Sequence, residues 1–452
     1  MSAEAPAHHR AMTRESRAAI AIEFPLIEPG TVEFDDAGIL TQRTLLPSGI
    51  RVITQHVPGQ KSVSLGLGVG VGSRDEEVGT EGSTHFLEHL MFKGTDTRSA
   101  SDISALGDFL GGTLNAATSR KYTVYYGRVF ESDVPQLLDL LVDMIVRSKL
   151  EREDMELERQ VILEELSASD DDVPTVAESE ILKLVMGDHP HARPIGGTHE
   201  TVLGLEHRHI IDNYRTNYHP GELVVTAAGA VNHGELTAMI SSLLEAAGWE
   251  LPDRAPANRR MIHSIDYTGG ETAFVERPGR QSAVVVGMPG IKLKDERESA
   301  TLALETVLGG GQSSRLFNEV REKRGLVYTT YAWSATHHEG GIAAMSAQCA
   351  PDAADKVAEI MSDCLDDIAD NGVSDEEVET AFHQRRAQLT FAAENNSFRR
   401  GRLGYAEIVR GSLKSVDELV AEARDVTAAD IQSVAQEFAS RPHSRVTVGP
   451  AS

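Results

Sequence analysis

Residues 63–71 read Val-Ser-Leu-Gly-Leu-Gly-Val-Gly-Val, a strict alternation of apolar and small residues. That period of two predicts a β-strand with one face buried and the other made flush by glycine. Residues 48–53 predict a shorter strand behind a turn, and residues 83–92 a helix. A strand over 122–129, an amphipathic helix over 134–147 and a buried strand at 223–227 complete a first half. The order then repeats: a strand over 281–288, helices over 298–308 and 313–323, a strand over 341–348 and an amphipathic helix over 353–369. Corresponding pieces lie roughly 220 residues apart, far beyond solenoid periods, which marks a duplicated domain. The mixture predicts an α+β fold of two homologous domains, each with helices packed on a largely antiparallel sheet. The expected boundaries are a flexible tail over 1–35, a first domain over 36–250, a linker over 251–265 and a second domain over 266–452.

Composition narrows the class. A chain of 452 residues with 40% hydrophobic and 25% charged positions reads as a soluble globular protein. No run of eighteen apolar residues occurs, so no membrane span is expected. Residues 18–22 are too short and badly flanked for a secretory signal, and Glu4, Glu15 and Glu23 argue against a transit peptide. The two cysteines, Cys349 and Cys364, are too few for a disulfide framework or a structural zinc cage, which points to a reducing cytoplasm. A net charge of −26 disfavours nucleic acid as a partner. It suits basic peptides, though an acid-rich surface also serves plain solubility.

The candidate chemistry concentrates in His85-Phe86-Leu87-Glu88-His89. On a helix, positions i and i+4 lie one turn apart on one face, so both imidazoles reach one ion. Glu88 shares that face and is placed to hold a water, while Phe86, Leu87 and Leu90 fix the helix from behind. A catalytic zinc needs a third protein ligand and an open fourth position. The helix pattern over 158–166 offers Glu165 as that ligand and Glu158, two turns earlier, as a carboxylate that orients a histidine or the water. Glu164, about 100° round the helix, is the rival ligand.

Residues 82–95, Gly-Ser-Thr-His-Phe-Leu-Glu-His-Leu-Met-Phe-Lys-Gly-Thr, resemble the signature of the pitrilysin/insulinase metallopeptidases. The resemblance is closest to the mitochondrial processing peptidase-like branch, in its bacterial-type single-chain form. In that family the inverted zinc motif is followed by a glutamate ligand with another glutamate seven positions before it, which Glu165 and Glu158 match. Residues 114–120 (Leu-Asn-Ala-Ala-Thr-Ser-Arg) and 123–126 (Thr-Val-Tyr-Tyr) also match, and the likeness runs from 45 to about 445.

The resemblance implies Zn²⁺ held by His85, His89 and Glu165, with Glu88 as general base, in a peptidase of short unfolded peptides or presequence-like substrates. It implies that Asn115 and Ala116 lie on an edge strand that binds substrate backbone. It further implies that Arg321 and Tyr328 of the second domain reach the site. Arg321 would bind substrate and Tyr328 would donate to the developing oxyanion. Because motif and pair share one polypeptide, it implies a self-sufficient enzyme, a homodimer, whose halves close like a clam around a chamber. Lys121 departs from the family, where many relatives carry glutamate after the arginine.

Other features carry less. Gly309-Gly310-Gly311 lacks the lysine and hydroxyl residue of a phosphate loop and reads as a turn or hinge. His189 and His191 belong to a structured loop bordering the site, His337 and His338 to a solvated polar turn, and Cys349 to the core.

Overall fold

The computed structural model describes residues 21–23, 29–36 and 38–451. In the first half, strands β1 (Ala21–Glu23), β2 (Gly30–Asp36), β3 (Ile39–Leu45), β4 (Arg51–His56) and β5 (Ser62–Val69) come first. They are followed by β6 (Thr113–Thr118), β7 (Thr123–Phe130) and β8 (Leu223–Gly229). The second half supplies β9 (Thr272–Glu276), β10 (Ser282–Gly290), β11 (Val327–Thr336), β12 (Gly341–Cys349), β13 (Ser412–Lys414) and β14 (Ser444–Gly449). One sheet of seven strands has the order β2-β3-β4-β8-β5-β7-β6, and one of five has the order β11-β12-β10-β14-β9. The order β4-β8-β5-β7-β6 is repeated by β9-β14-β10-β12-β11, and in each the first pair is the parallel one. The fold is α+β, as the sequence predicts.

Strands β8 and β10 are buried at every position, which demands cover on both faces of each sheet. On one face of the larger sheet, Val63, Leu65, Leu67 and Val225 pack with Leu137, Leu141 and Leu236 of the first half's own helices. On the other face, Ile53 and Val224 meet Leu403, Ala406 and Ile408, which come from the second half. The smaller sheet mirrors this. Val284 and Val286 face its own helices, whereas Ala283 and Val285 pack on Val176, Ala177 and Ile181 of the first half's helix Val173–Met186. Each half therefore has a core of its own on one face of its sheet and lends a helix to cover the second face of the other's.

The glycines of β5 are explained by the borrowed helix Asn396–Tyr405 and the turn after it. A Cβ at Gly66 would stand 2.9 Å from Arg400 Nη1, and one at Gly68 would stand 3.0 Å from Ile408 Cδ1. At the mirrored place, a Cβ at Gly287 would stand 2.5 Å from Ile181 Cγ1. The flush face read from the sequence is thus the seat of a helix from the opposite half.

Three expectations need correction. Residues 1–20 and 24–28 of the expected tail lie outside the described residues, but its other parts are structured. Strand β1 forms a separate two-stranded sheet with β13, and β2 pairs along its length with β3, so that the backbone groups of each find partners. The helix expected over 313–323 is largely a π-helix at Phe317–Glu322. His337 is buried, not solvated: its ring stacks on that of His191 at 3.6 Å and 11°. His338 is half-buried and bonds the Val409 carbonyl.

The buried turn between β11 and β12 closes a polar hub between the halves. Glu339 accepts from His191 Nε2 at 3.1 Å and from the Ile262 N–H at 3.0 Å, and pairs with Arg74 at 3.4 Å. Lys121 Nζ donates to the Thr336 carbonyl at 2.8 Å, so the departure from the family pattern places a cation in this hub. Burial would raise the Glu339 carboxyl, but the His191 and Ile262 donors outweigh it and hold it down at about 2. Burial lowers both histidines, His191 to about 4.

Neutral rings are part of the folded state, so their contribution is present above the ordinary histidine value near 6.5 and is lost as pH falls towards 4. His191 alone should remove about 2 kcal/mol of stability between pH 8 and pH 5. Denaturant unfolding at the two pH values measures this. His337→Phe, which keeps a stacked ring without a titrating nitrogen, should show a shallower pH dependence than the parent.

Candidate metal centre

The helix Ser83–Leu90 lies with Phe86, Leu87 and Leu90 fully buried against the sheet's helical face, which turns His85, Glu88 and His89 towards open space. Its neighbour, the helix Arg152–Asp171, buries Met155 and Ile162 in the same core and presents Glu158 and Glu165 from the facing side. His85, His89 and Glu165 are the group among the described residues whose ligand atoms lie within 4.8 Å of one another. Glu165 Oε2 stands 3.9 Å from His85 Nε2 and 3.5 Å from His89 Nε2. A tetrahedral zinc with bonds of about 2.0–2.1 Å separates its ligand atoms by about 3.3–3.4 Å, so the three side chains fit that ion with slight inward movement. Glu164, the rival, is exposed and is not part of the group.

The two histidines are held differently. His89 Nδ1 donates to Glu158 Oε2 at 3.0 Å, which leaves Nε2 with its lone pair towards Glu165. Glu158 is itself buried and pairs through its other oxygen with Lys93 at 2.5 Å. His85 Nδ1 is buried with no protein partner. Burial, and then the neighbouring His89, pushes the His85 pKa down to about 4, which keeps the imidazole neutral as a metal ligand must be.

Glu88 is half-buried beside the triad, and its carboxylate accepts from the Thr118 hydroxyl at the end of β6. Burial raises its pKa and the Thr118 bond pulls it back. A carboxylate on the ligand face, held by its own tether, can serve as a proton acceptor. Strand β6 is the free edge of the large sheet. Asn115 is exposed there and its side-chain oxygen accepts the Ala116 N–H at 2.9 Å, whereas the Ala116 side chain points inward and is buried. Ala116 can therefore offer only backbone to a substrate.

Arg321 and Tyr328 are brought to each other but not to the triad. The Arg321 guanidinium stacks over the rings of Phe317 and Tyr328 at 4.7 and 5.0 Å and donates to the Tyr328 carbonyl at 2.8 Å. Tyr328 sits in a β-bulge between Val327 and Thr329 and is 73% exposed. Among the described residues, no hydrogen bond, ion pair or ring contact joins either side chain to His85, Glu88, His89 or Glu165.

Two contributors were missed in the sequence. Thr118 lies within the family-like stretch over 114–120, so its position was visible and its hydroxyl's role was not. Glu76 caps the metal helix across a six-residue loop, and no helical spacing signals such a contact.

Comparison with known proteins places this geometry. Residues 51–199 match the family described as Insulinase (Peptidase family M16), and residues 205–385 match the one described as Peptidase M16 inactive domain. A zinc protease of Streptomyces coelicolor, itself uncharacterized, is 38% identical over 410 residues, covering 90% of this chain and 89% of that protein. A similarly named zinc protease of Mycobacterium tuberculosis is 35% identical over 419 residues, covering 92% of this chain and 94% of that protein. The crystal structure of a protease from Helicobacter pylori shares the fold with a TM-score of 0.83 at 21% identity, covering 93% of this chain and all of that one. Both relatives carry zinc in their names, and the His85, His89 and Glu165 side chains of this chain fit that ion.

If the Glu158 bond orients His89, Glu158→Ala should weaken zinc binding by roughly 10- to 100-fold. Titrating the metal-free protein with zinc in competition with a chromogenic chelator reads this directly. An unchanged affinity would show that His89 needs no such partner.

Proposed function

We propose that this chain, which belongs to the insulinase family of peptidases (family M16), is a zinc endopeptidase acting on short unfolded peptides or presequence-like segments. The observation that carries the reading is the conjunction of a zinc-fitting triad, a tethered carboxylate and a free strand edge within one wall of the molecule. His85, His89 and Glu165 hold the ion. When bound, zinc supplies Lewis acidity, making water nucleophilic near neutral pH and polarising a carbonyl. Glu88 takes the proton released by the attacking water and delivers it to the leaving amine. An extended substrate adds to β6 as a further strand, with its backbone replacing the Asn115 side chain at the Ala116 N–H. Recognition through backbone tolerates many sequences, as a degrader of unfolded peptides needs.

Arg321 and Tyr328 act on the bound peptide, Arg321 as a fork donor and Tyr328 as the donor to the oxyanion. We place the enzyme in the cytoplasm as a homodimer that needs no second gene product. A second reading is favoured by the separation of this pair from the triad: a non-catalytic or partner-dependent peptide-binding subunit, whose partner completes the site. Mass measurement of the purified protein, with cleavage of a fluorogenic peptide by that same preparation, separates the two readings. Activity of the lone chain that chelator abolishes and zinc restores excludes the second.

Within the first reading, Glu88→Gln should keep zinc near one ion per chain and lower kcat by about 10²–10⁴. Full activity in that variant would overturn the base assignment. Glu165→Gln should lose metal and Glu164→Gln should not; the reverse result would reassign the ligand. Tyr328→Phe should lower kcat by about 10² with little change in zinc content.

A further inference from the structure

We infer that Glu76 is a positioning residue of the zinc site, which fixes the first turn of the metal helix and through it the orientation of His85. The first turn of a helix leaves backbone N–H groups without intrahelical partners, and a side chain at the N-cap ordinarily satisfies one of them. Here the N-cap is Gly82, in the left-handed region at φ +92, with no side chain to supply that bond. It cannot be exchanged for a capping residue, because a Cβ at Gly82 would stand 2.5 Å from the Gly196 carbonyl oxygen. The first turn also contains no acidic residue to meet the positive end of the helix dipole.

Glu76 supplies both from six residues upstream. Its Oε2 accepts the Gly82 N–H at 2.9 Å, and its Oε1 accepts the Thr84 N–H at 2.7 Å and the Ser83 hydroxyl at 3.4 Å. The carboxyl is buried at 9% exposure, and its own carbonyl is held by Arg193 Nη1 at 3.0 Å. Burial pushes its pKa up to about 7 against the pull of these donors, so the group pays a desolvation penalty to stand where it does.

The consequence falls on one ligand more than the other. His89 has Glu158 to orient its ring. His85, one residue beyond Thr84, has no protein partner at Nδ1, so the aim of Nε2 depends on where the backbone of the first turn is placed. Glu76 sets that placement. It contacts neither substrate nor ion, and it acts through the helix.

The geometry stands without the zinc-peptidase reading, but its functional consequence rests on it, and the test separates the two. Glu76→Gln keeps the shape and loses one acceptor. Zinc affinity of the metal-free protein, measured by chelator competition at 25 °C, should weaken by roughly tenfold, with faster amide exchange at Gly82–Thr84. Glu76→Asp, which keeps the charge and withdraws it by one methylene, should fall between parent and Gln variant. Glu407→Gln, which breaks a buried pair with Arg43 elsewhere in the molecule, serves as the control: it should lower the melting temperature and leave zinc affinity unchanged. If Glu76→Gln lowers the melting temperature but binds zinc as tightly as the parent, Glu76 is only structural and the inference fails. If the parent binds no zinc, the peptidase reading fails, and amide exchange alone then decides whether Glu76 caps the helix.

Discussion

The structure depends on one constraint: both central sheets are apolar on both faces, and neither half of the chain has enough helices to cover its own sheet. Val224 and Val225 sit side by side in β8 and face different layers, one packed by the second half and one by the first. Val284 and Val285 repeat this in β10. Burying a valine or leucine side chain is worth about 1.5–3 kcal/mol, so leaving either outer face bare would forfeit much of the stability of a domain. The exchange of helices meets that demand twice. It also explains the smallest residues in the strands, since Gly66, Gly68 and Gly287 lie where a borrowed helix or the turn beyond it comes closest.

The same exchange brings polar groups of the two halves together in places water does not reach. A buried ion pair contributes little net stability over a well-packed apolar contact, but removing one partner is costly. The Arg43–Glu407 pair and the hub of Arg74, His191 and Glu339 therefore act less as glue than as registry, since each is satisfied at one relative placement of the halves. The hub has a direct bearing on the metal centre. Arg74 lies two residues before Glu76, and the loop after His191 carries Arg193 and Gly196 to the start of the metal helix. The turn at Glu339 thus reaches through two side chains and a short run of backbone to the residues that aim His85.

What was legible in the sequence follows from which contacts are local. Strand β5 announced itself by its period of two, and the helix Val134–Arg147 by its apolar stripe, because each pattern is written within a dozen or so residues. His85, Glu88 and His89 were legible because one helical turn brings them together, and Glu158 and Glu165 because two turns do. Glu165 was preferred to Glu164 because it shares a helix face with Glu158, and the family likeness pointed to the same two positions. The helix exchange was not legible: a flush glycine face shows that something approaches closely, not that it comes from more than 300 residues away. His337 misled for a related reason. A His-His-Glu-Gly-Gly turn is polar by composition, and its burial is decided by a loop from the other half.

Arg321 and Tyr328 show the limit from the other side. Their spacing of seven was visible, but on a regular helix followed by a regular strand it gives no direction. The direction comes from two local irregularities, the π-helix at Phe317–Glu322 and the bulge at Val327 and Thr329. A π-helix widens the turn, and a bulge re-aims a side chain out of the strand's alternation. Both features cost stability where they occur, and both recur at sites where an element must present a group against its own regular geometry. Here they leave a guanidinium stacked on a phenol ring, its donors partly engaged by the Tyr328 carbonyl and the tyrosine hydroxyl in solvent. In water such a pair stabilises little. Against a peptide that excludes water, the same donors gain strength because competing solvent is gone. Under the proposed reading the exposure of Tyr328 leaves its hydroxyl free for a bound substrate, and β11, an edge strand of the smaller sheet, carries it.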